Sequence, residues 1–244
     1  MASIIELKNV SFSAQNRVLV QDISCQFEEG QVTALIGPSG CGKSTVLKLA
    51  AGLYYPYEGE ITFRGTDIAR MNRAENLAFR KEGAVVFQDS ALWANQSLFQ
   101  ILELPLRVHF PSMSLKERQK RIKSVAAAVG YRKNLEIRPA QLSMGEQKLL
   151  AFARALMCSP RLLFLDEFTE SLDENASQRL IDLVKKLHND GVSIILISHD
   201  IRMIRFLADI VIMVMEGRIF HKLSRDQITS DDDLSRYIDE DSAS

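Results

Sequence analysis

Short apolar runs alternate with polar, turn-forming stretches along most of the chain. In the two most N-terminal runs apolar and polar residues alternate, as they do along a strand with one buried face. The pattern predicts strands at residues 4–10, 17–20, 32–36, 60–63, 84–87, 162–165, 192–197 and 210–215.

Helical patterns fill much of the space between these strands. The pattern is helical from residue 89 to 138, and Ser114 and Glu117 form a capping-box sequence that predicts a helix running to about Val129. A second helical pattern, at 175–188, lies between two predicted strands. Because strands joined by crossover helices usually form a parallel sheet, the sequence predicts an α/β fold.

A glycine-rich segment separates the predicted strand 32–36 from a helix-like run at 46–51. Its glycines allow successive backbone N–H groups to point inward at the positive end of the following helix, where they can cradle phosphate oxygens. This is the context of a P-loop, so we expect the chain to bind a nucleoside triphosphate. The predicted phosphate-binding residues are Gly37, Ser39, Gly40, Cys41, Gly42, Lys43, Ser44 and Thr45.

Three of these side chains have distinct expected roles. Lys43 supplies a mobile positive charge, Ser44 supplies a hydroxyl ligand to Mg²⁺, and Thr45 contacts the next phosphate inward. A P-loop alone does not identify a reaction, because kinases, GTPases, motors and transporters all use one. The rest of the chain must decide among them.

Five further segments follow the P-loop along the chain. They are Val85-Val86-Phe87-Gln88-Asp89, Leu142-Ser143-Met144-Gly145-Glu146, Leu162-Leu163-Phe164-Leu165-Asp166-Glu167, Glu170-Ser171-Leu172-Asp173 and Ile195-Leu196-Ile197-Ser198-His199-Asp200. In this order they resemble the Q-loop, signature, Walker B strand, D-loop and switch-histidine segment of the ATP-binding cassette (ABC) ATPases. The resemblance covers nearly the whole chain.

The resemblance implies an architecture. It is a P-loop NTPase core with a parallel sheet, an N-terminal antiparallel β subdomain and an inserted α-helical lobe at about 90–158. One ABC domain would span 1–224, followed by an acidic tail at 225–244. Leu234, Tyr237 and Ile238 in that tail have helical spacing, so the tail is either a solvated end or a helix docked on a partner.

The resemblance also implies a mechanism of ATP hydrolysis. Asp166 would hold Mg²⁺ through its water shell, and Glu167 would be the general base for the attacking water. Gln88 would contact the Mg²⁺ or that water, and His199 would hydrogen-bond the γ-phosphate.

Ser143 and Gly145 would act on a different nucleotide. In this family the signature residues close over the γ-phosphate bound by a partner subunit. The resemblance therefore implies a second cassette, as a homodimer or a heterodimer. It also implies an integral membrane permease subunit, because the cassette itself does not form a transport path.

Some positions depart from the family pattern. Ala14 stands where an aromatic residue usually stacks on adenine, and Phe12 lies two residues earlier. Met144 replaces the first signature glycine, Phe168 replaces a proline, and Leu149 replaces an arginine. These changes affect the expected local loop geometry and adenine stacking more than the phosphate chemistry.

Composition excludes other classes of protein. The net charge of −1 and the dispersed basic residues give no footprint for nucleic acid. The three cysteines have neither disulfide nor zinc spacing. The start lacks a signal peptide, and no apolar run approaches the ~20 residues of a membrane span. We expect a cytoplasmic protein that is peripheral on the inner face of the membrane.

Three functions remain open at this stage. The first is the ATPase subunit of an ABC transporter; the second is the ATPase of a non-transport machine, such as one for cell division or iron–sulfur assembly; the third is a nucleotide-dependent scaffold. Residues 97–107 are similar to a segment of lipid, lipoprotein and methionine cassettes, or are a generic helix turn. Its overall look resembles most the lipid-trafficking group of cassettes with mammalian-cell-entry-type (MCE) partners, and this resemblance would add lipid-binding accessory proteins as partners. Trp93 is either an anchor for the permease or part of the core.

Overall fold

Two β-sheets organise the part of the chain that the computed structural model describes, residues 2–227. One sheet has four strands in the order β2-β1-β4-β5, and the other has six in the order β10-β9-β3-β8-β7-β6. The strands are β1 (Ser3–Ala14), β2 (Arg17–Glu28), β3 (Val32–Ile36), β4 (Glu58–Phe63), β5 (Thr66–Asp67), β6 (Gly83–Val86), β7 (Leu162–Asp166), β8 (Ser193–Ile197), β9 (Ile210–Met215) and β10 (Arg218–Ser224).

Seven α-helices connect or cover these strands within the same described residues. They are α1 (Lys43–Ala50), α2 (Arg73–Glu82), α3 (Leu98–His109), α4 (Leu115–Ala128), α5 (Met144–Leu156), α6 (Glu174–Asn189) and α7 (Ile201–Leu207). None of the helices in residues 2–227 is long and apolar enough to cross a membrane.

The six-stranded sheet brings the ends of four motif-bearing strands together. Strands β3, β8, β7 and β6 are adjacent and parallel. Every residue of β3, β7 and β8 is buried, because helices cover both faces of a parallel sheet. Ligand sites in such sheets form beyond the carboxyl ends of the strands, which is where the predicted motifs lie. The predicted parallel sheet is confirmed.

The four-stranded sheet is antiparallel throughout, as predicted for the N-terminal subdomain. Its first two strands are longer than the sequence pattern predicted, because the pairing of β1 with β2 shifts register several times. Asn9 and Asp22 have left-handed backbone, with φ of 48° and 50°. Such bulges interrupt the alternation of apolar and polar residues, so the pattern predicted only part of each strand.

Three helices pack on one another between the Q-loop and the Walker B strand. These are α3, α4 and α5. Both α3 and α4 begin with capping boxes, at Ser97 and Ser114, and α4 ends close to the predicted Val129. The division into one domain at 1–224 and a tail stays a prediction, and the apolar stripe predicted in the tail lies outside the described residues.

Helix α2 and strand β10 are absent from the sequence prediction. Helix α2 begins with an Asn72–Glu75 capping box that was a readable signal, but only Phe79 is buried along it, so its apolar periodicity is weak. Strand β10 has no fully buried residue because it is the edge of its sheet.

Candidate functional site

The P-loop requires glycine at two positions. Gly37 has φ 139°, and a Cβ there would lie 2.0 Å from the carbonyl oxygen of Val214. Gly42, the residue before α1, has φ 108°, and a Cβ there would lie 2.7 Å from the carbonyl oxygen of Leu19. Because neighbouring strands crowd the loop, only a bare backbone can make this turn. The N–H groups of α1 then begin directly beyond it.

Lys43 folds back over the P-loop. Its Nζ donates hydrogen bonds to the carbonyl oxygens of Gly37 and Pro38, each at 2.7 Å. The ammonium group is therefore held against the first residues of the loop. Cys41, another of the predicted phosphate-binding residues, is buried beside it.

Ser44 and Asp166 meet across the sheet edge. The Ser44 hydroxyl donates to Asp166 Oδ1 at 3.3 Å. Asp166 ends β7 and is only 4% exposed, so burial raises the pKa of its carboxyl, while the Ser44 hydrogen bond and nearby lysines oppose the rise. Two of the three predicted metal ligands thus present oxygen atoms close to each other.

Glu167 pairs with His199. The imidazole Nδ1 of His199 lies 3.2 Å from each carboxylate oxygen of Glu167. The glutamate side chain is 16% exposed and the histidine side chain 73% exposed. Burial raises the pKa of Glu167, and the hydrogen bond from His199 opposes this. The predicted general base and switch histidine are in direct contact.

A cavity of about 680 Å³ lies beside these groups. Ser44, Gln88 and Asp166, the three predicted metal ligands, all line it, together with Met144 and Ser171. Glu167, His199, Ser143 and Gly145 are not among its lining residues. Within the described residues no three His, Cys, Asp or Glu side chains cluster as a metal site, so a cation here would rely on hydroxyl, amide and phosphate oxygens besides Asp166.

The signature residues open α5. Ser143 is its N-cap: the Ser143 Oγ accepts from Glu146 N–H at 3.2 Å, and Ser143 N–H donates to Glu146 Oε2 at 3.0 Å. A Cβ on Gly145 would lie 3.0 Å from the carbonyl oxygen of Ser171, in the predicted D-loop. Met144 is 71% exposed, so the non-glycine residue is accommodated by pointing outward.

Phe12 is already engaged in a contact and is not free to stack on adenine in place of the aromatic residue that is missing at Ala14. Its ring stacks on Tyr54, with centroids 4.9 Å apart and planes 5° apart. Tyr54 also lines the cavity. Sequence reasoning missed Tyr54, although the run Tyr54-Tyr55-Pro56-Tyr57 was a visible concentration of aromatic residues just after α1.

Two cations on α5 were also missed. The buried Lys148 donates to the carbonyl oxygens of Phe87, Gln88 and Glu167. Arg154 donates to those of Ser90 and Ala91, and its guanidinium lies 5.6 Å from the ring centroid of Trp93. A signal for Lys148 existed, since helical spacing places it on the same face as Ala151, Phe152 and Ala155.

Trp93 lies on the surface side of this loop. It is 44% exposed, which agrees with the anchor interpretation better than with a core position. The anchor itself stays a prediction.

Comparison with known proteins places these features in context. The family model described as ABC transporter matches residues 20–170. The nickel import ATP-binding protein NikE of Shigella flexneri is 35% identical over 229 residues, covering 92% of this chain and 85% of that protein. The intermembrane phospholipid transport system ATP-binding protein MlaF of Haemophilus influenzae is 32% identical over 236 residues, covering 95% and 88%.

Solved structures give the same picture. The ATP-binding cassette MJ0796, a dimer in a post-hydrolysis state bound to ADP and phosphate, superimposes with a TM-score of 0.84 at 28% identity, covering 91% of this chain and 98% of that one. A second dimeric structure of that cassette gives a TM-score of 0.83 at 29% identity. The predicted α/β cassette fold is confirmed.

Proposed function

The chain belongs to the ABC transporter family and is an ATPase of that family. We propose that it works as one of two cassettes that together drive a separate membrane permease. The observation that carries the proposal is the contact between the largely buried Glu167 carboxylate and His199, 3.2 Å apart, directly after Asp166.

The P-loop and its neighbours fit ATP with Mg²⁺. The glycine cradle of Gly37 and Gly42 admits only backbone, and Ser44 and Asp166 present hard oxygen ligands 3.3 Å apart. Gln88 lines the same cavity and would add its amide oxygen. When bound, Mg²⁺ would supply positive charge that neutralises the charge developing on the phosphates. Lys43 and the N–H groups at the start of α1 bind the phosphates.

Glu167 acts as the general base. Its side chain accepts a proton from the water whose oxygen attacks the γ-phosphorus, and the bond from that phosphorus to the bridging oxygen breaks so that ADP leaves. His199 orients the carboxylate and hydrogen-bonds the γ-phosphate. Gln88, at the end of β6, contacts the same region and reports its state toward α3, α4 and α5. None of these side chains forms a covalent bond with the phosphate.

Ser143 and Gly145 bind the nucleotide of the partner cassette. They lie at the N-terminus of α5, which carries the positive end of the helix dipole and free N–H groups. We infer a homodimer with two equivalent sites, because the chain itself contains each predicted motif. The dimeric state of the similar cassette MJ0796 supports this arrangement.

Phospholipid movement is the proposed output. The similarity to MlaF spans 95% of the chain, and residues 97–107 have the look of lipid-trafficking cassettes. The permease and accessory lipid-binding proteins would then be the partners, with the cassette peripheral on the cytoplasmic face of the membrane. The similarity to NikE makes import of a small solute such as nickel the second candidate.

The catalytic part of the proposal is tested with Glu167→Gln. The amide cannot accept the proton, so hydrolysis should fall about 100-fold or more while ATP still binds, and the variant should accumulate as an ATP-bound dimer on size exclusion. Glu174→Gln, at an exposed glutamate in the first turn of α6, is the control. Turnover near the wild-type rate in Glu167→Gln would remove Glu167 from the role.

The transported substrate is tested with the reconstituted permease complex. Under the lipid proposal, ATP drives transfer of a fluorescent phospholipid between labelled and unlabelled vesicles. ATP-driven nickel accumulation in sealed vesicles without lipid transfer would favour the second candidate instead. The Glu167→Gln complex should support neither activity.

A further inference from the structure

A buried lysine joins the two loops that carry Gln88 and Glu167. Lys148 is 3% exposed, and its Nζ donates to the carbonyl oxygens of Phe87 and Glu167, each at 3.3 Å, and to that of Gln88. We propose that Lys148 is a positioning residue for ATP hydrolysis, which fixes the backbone of Gln88 and Glu167 relative to helix α5.

The chemistry of the contact suits a backbone clamp. An ammonium group has three donors and no acceptor, and here it meets three carbonyl oxygens. None of these hydrogen-bond partners is a carboxylate, so the three donors hold main chain, while the nearby carboxylates of Asp89, Asp166, Glu167 and Glu170 stabilise the buried charge. Burying a cation is expensive compared with burying an apolar side chain of similar length, so packing alone does not explain a lysine here.

The clamp joins segments that are separate in the chain. Gln88 follows β6, Glu167 follows the adjacent strand β7, and Lys148 lies one turn into α5, the helix that Ser143 opens. A shift of α5 therefore moves both the glutamine and the glutamate backbone. The signature is linked to the hydrolytic residues of its own subunit through one side chain.

The backbone that Lys148 holds is in a conformation that needs support. Glu167 has φ 45°, in the left-handed region that glutamate rarely occupies. Arg154, further along α5, supports the other loop, the one that follows β6 and contains Gln88: its carbonyl partners Ser90 and Ala91 have φ 62° and 45°. Helix α5 thus holds both strand-end loops by cations.

The proposal rests on the proposed roles of Gln88 and Glu167. Loss of the clamp should leave the P-loop untouched, because Lys43 and Ser44 make none of the contacts of Lys148. Lys148→Met should therefore lower kcat by about 10- to 100-fold, the scale of a displacement near 1 Å, with little change in the Kd for ATP. Lys148→Arg, which keeps the cation, should recover part of the rate.

Arg121→Gln is the matched control. Arg121 is also a cation that binds carbonyl oxygens of the α5 region, those of Leu156 and Met157, but at the far end of the helix. Its loss should lower the thermal midpoint without the same fall in kcat. All variants are made in the full chain and compared at equal protein concentration below their unfolding temperatures.

The outcomes separate this inference from the proposed function. Wild-type kcat in Lys148→Met, or an equal fall in Arg121→Gln, would overturn the clamp. If Glu167→Gln keeps its turnover, the proposed function fails instead. If Lys148→Met does not fold, Lys148→Gln is judged by the same criteria.

Acrylamide quenching of Trp93, the only tryptophan in the chain, gives a second readout. Quenching should increase when the clamp on the preceding loop is lost. Unchanged quenching together with unchanged kcat would count against the clamp.

Discussion

Ser143 has two proposed roles that one set of variants can separate. In the structure its Oγ caps α5, accepting from Glu146 N–H at 3.2 Å. In the proposed dimer the same hydroxyl also contacts the partner's γ-phosphate. Ser143→Ala removes both, whereas Ser114→Ala removes only a cap, because Ser114 caps α4 with nearly the same geometry, 3.3 Å to Glu117 N–H, and is exposed in the same way.

The magnitudes follow from these contacts. Loss of a serine N-cap costs about 1 kcal/mol, which is a fall of about 2–4 °C in the melting temperature of a chain this size. Both alanine variants should show it. A hydrogen bond to a charged group contributes about 1.5–3 kcal/mol, so only Ser143→Ala should also weaken ATP-dependent dimerisation and turnover, by about 10- to 100-fold.

The assays are thermal unfolding for stability, sedimentation velocity for dimerisation, and phosphate release with saturating ATP for turnover. A third variant, Ser143→Asp, keeps a good cap but places a carboxylate against the phosphate. It should be as stable as the wild type and inactive. Equal turnover in Ser143→Ala and Ser114→Ala would refute the phosphate contact and leave Ser143 as a helix cap only.

Three further predictions concern the pH dependence of hydrolysis, the contact with adenine and the binding of the permease. Because burial raises the pKa of Glu167 and the base must be deprotonated, kcat should begin to fall on acidification at a higher pH than a glutamate of ordinary pKa would give; an acid limb at or below pH 4.5 contradicts this. Ala14→Tyr should tighten ATP binding by about 0.5–1.5 kcal/mol, measured by calorimetry, and equal affinity would show that position 14 does not reach adenine. Trp93→Ala should leave the cassette folded and able to bind ATP but lose the permease on co-purification; stoichiometric recovery of the complex argues against the anchor.

The sequence predicted the parts of the fold whose patterns are local. Apolar runs such as β3 and β7 are buried throughout, so their strands could be located almost to the residue. The bulged strands β1 and β2 could not, because left-handed residues such as Asn9 and Asp22 break the alternation. Register shifts depend on the facing strand and leave no clear mark on either sequence.

The same distinction applies to the candidate site. The motif side chains Ser44, Asp166, Glu167 and His199 were predicted one by one, and parallel strand ends explain why they meet. The contacts of Lys148 could not be predicted, because its partners are backbone carbonyls. A carbonyl has no residue identity, so only the three-dimensional path of the chain shows which ones converge.

Phe168 changes what keeps the proposed catalytic glutamate, Glu167, rigid. Where the family usually has proline, this ring is fully buried and lies 5.9 Å from Phe152 of α5. A proline stiffens a chain by its own covalent ring, which is insensitive to temperature or to mutations elsewhere. A phenylalanine restricts the backbone only to the extent that neighbouring side chains pack tightly against its ring. In this protein the alignment of Glu167 thus depends on the packing of the hydrophobic interior as well as on the Lys148 clamp, and substitutions at apolar positions remote from ATP should alter turnover before they alter nucleotide affinity.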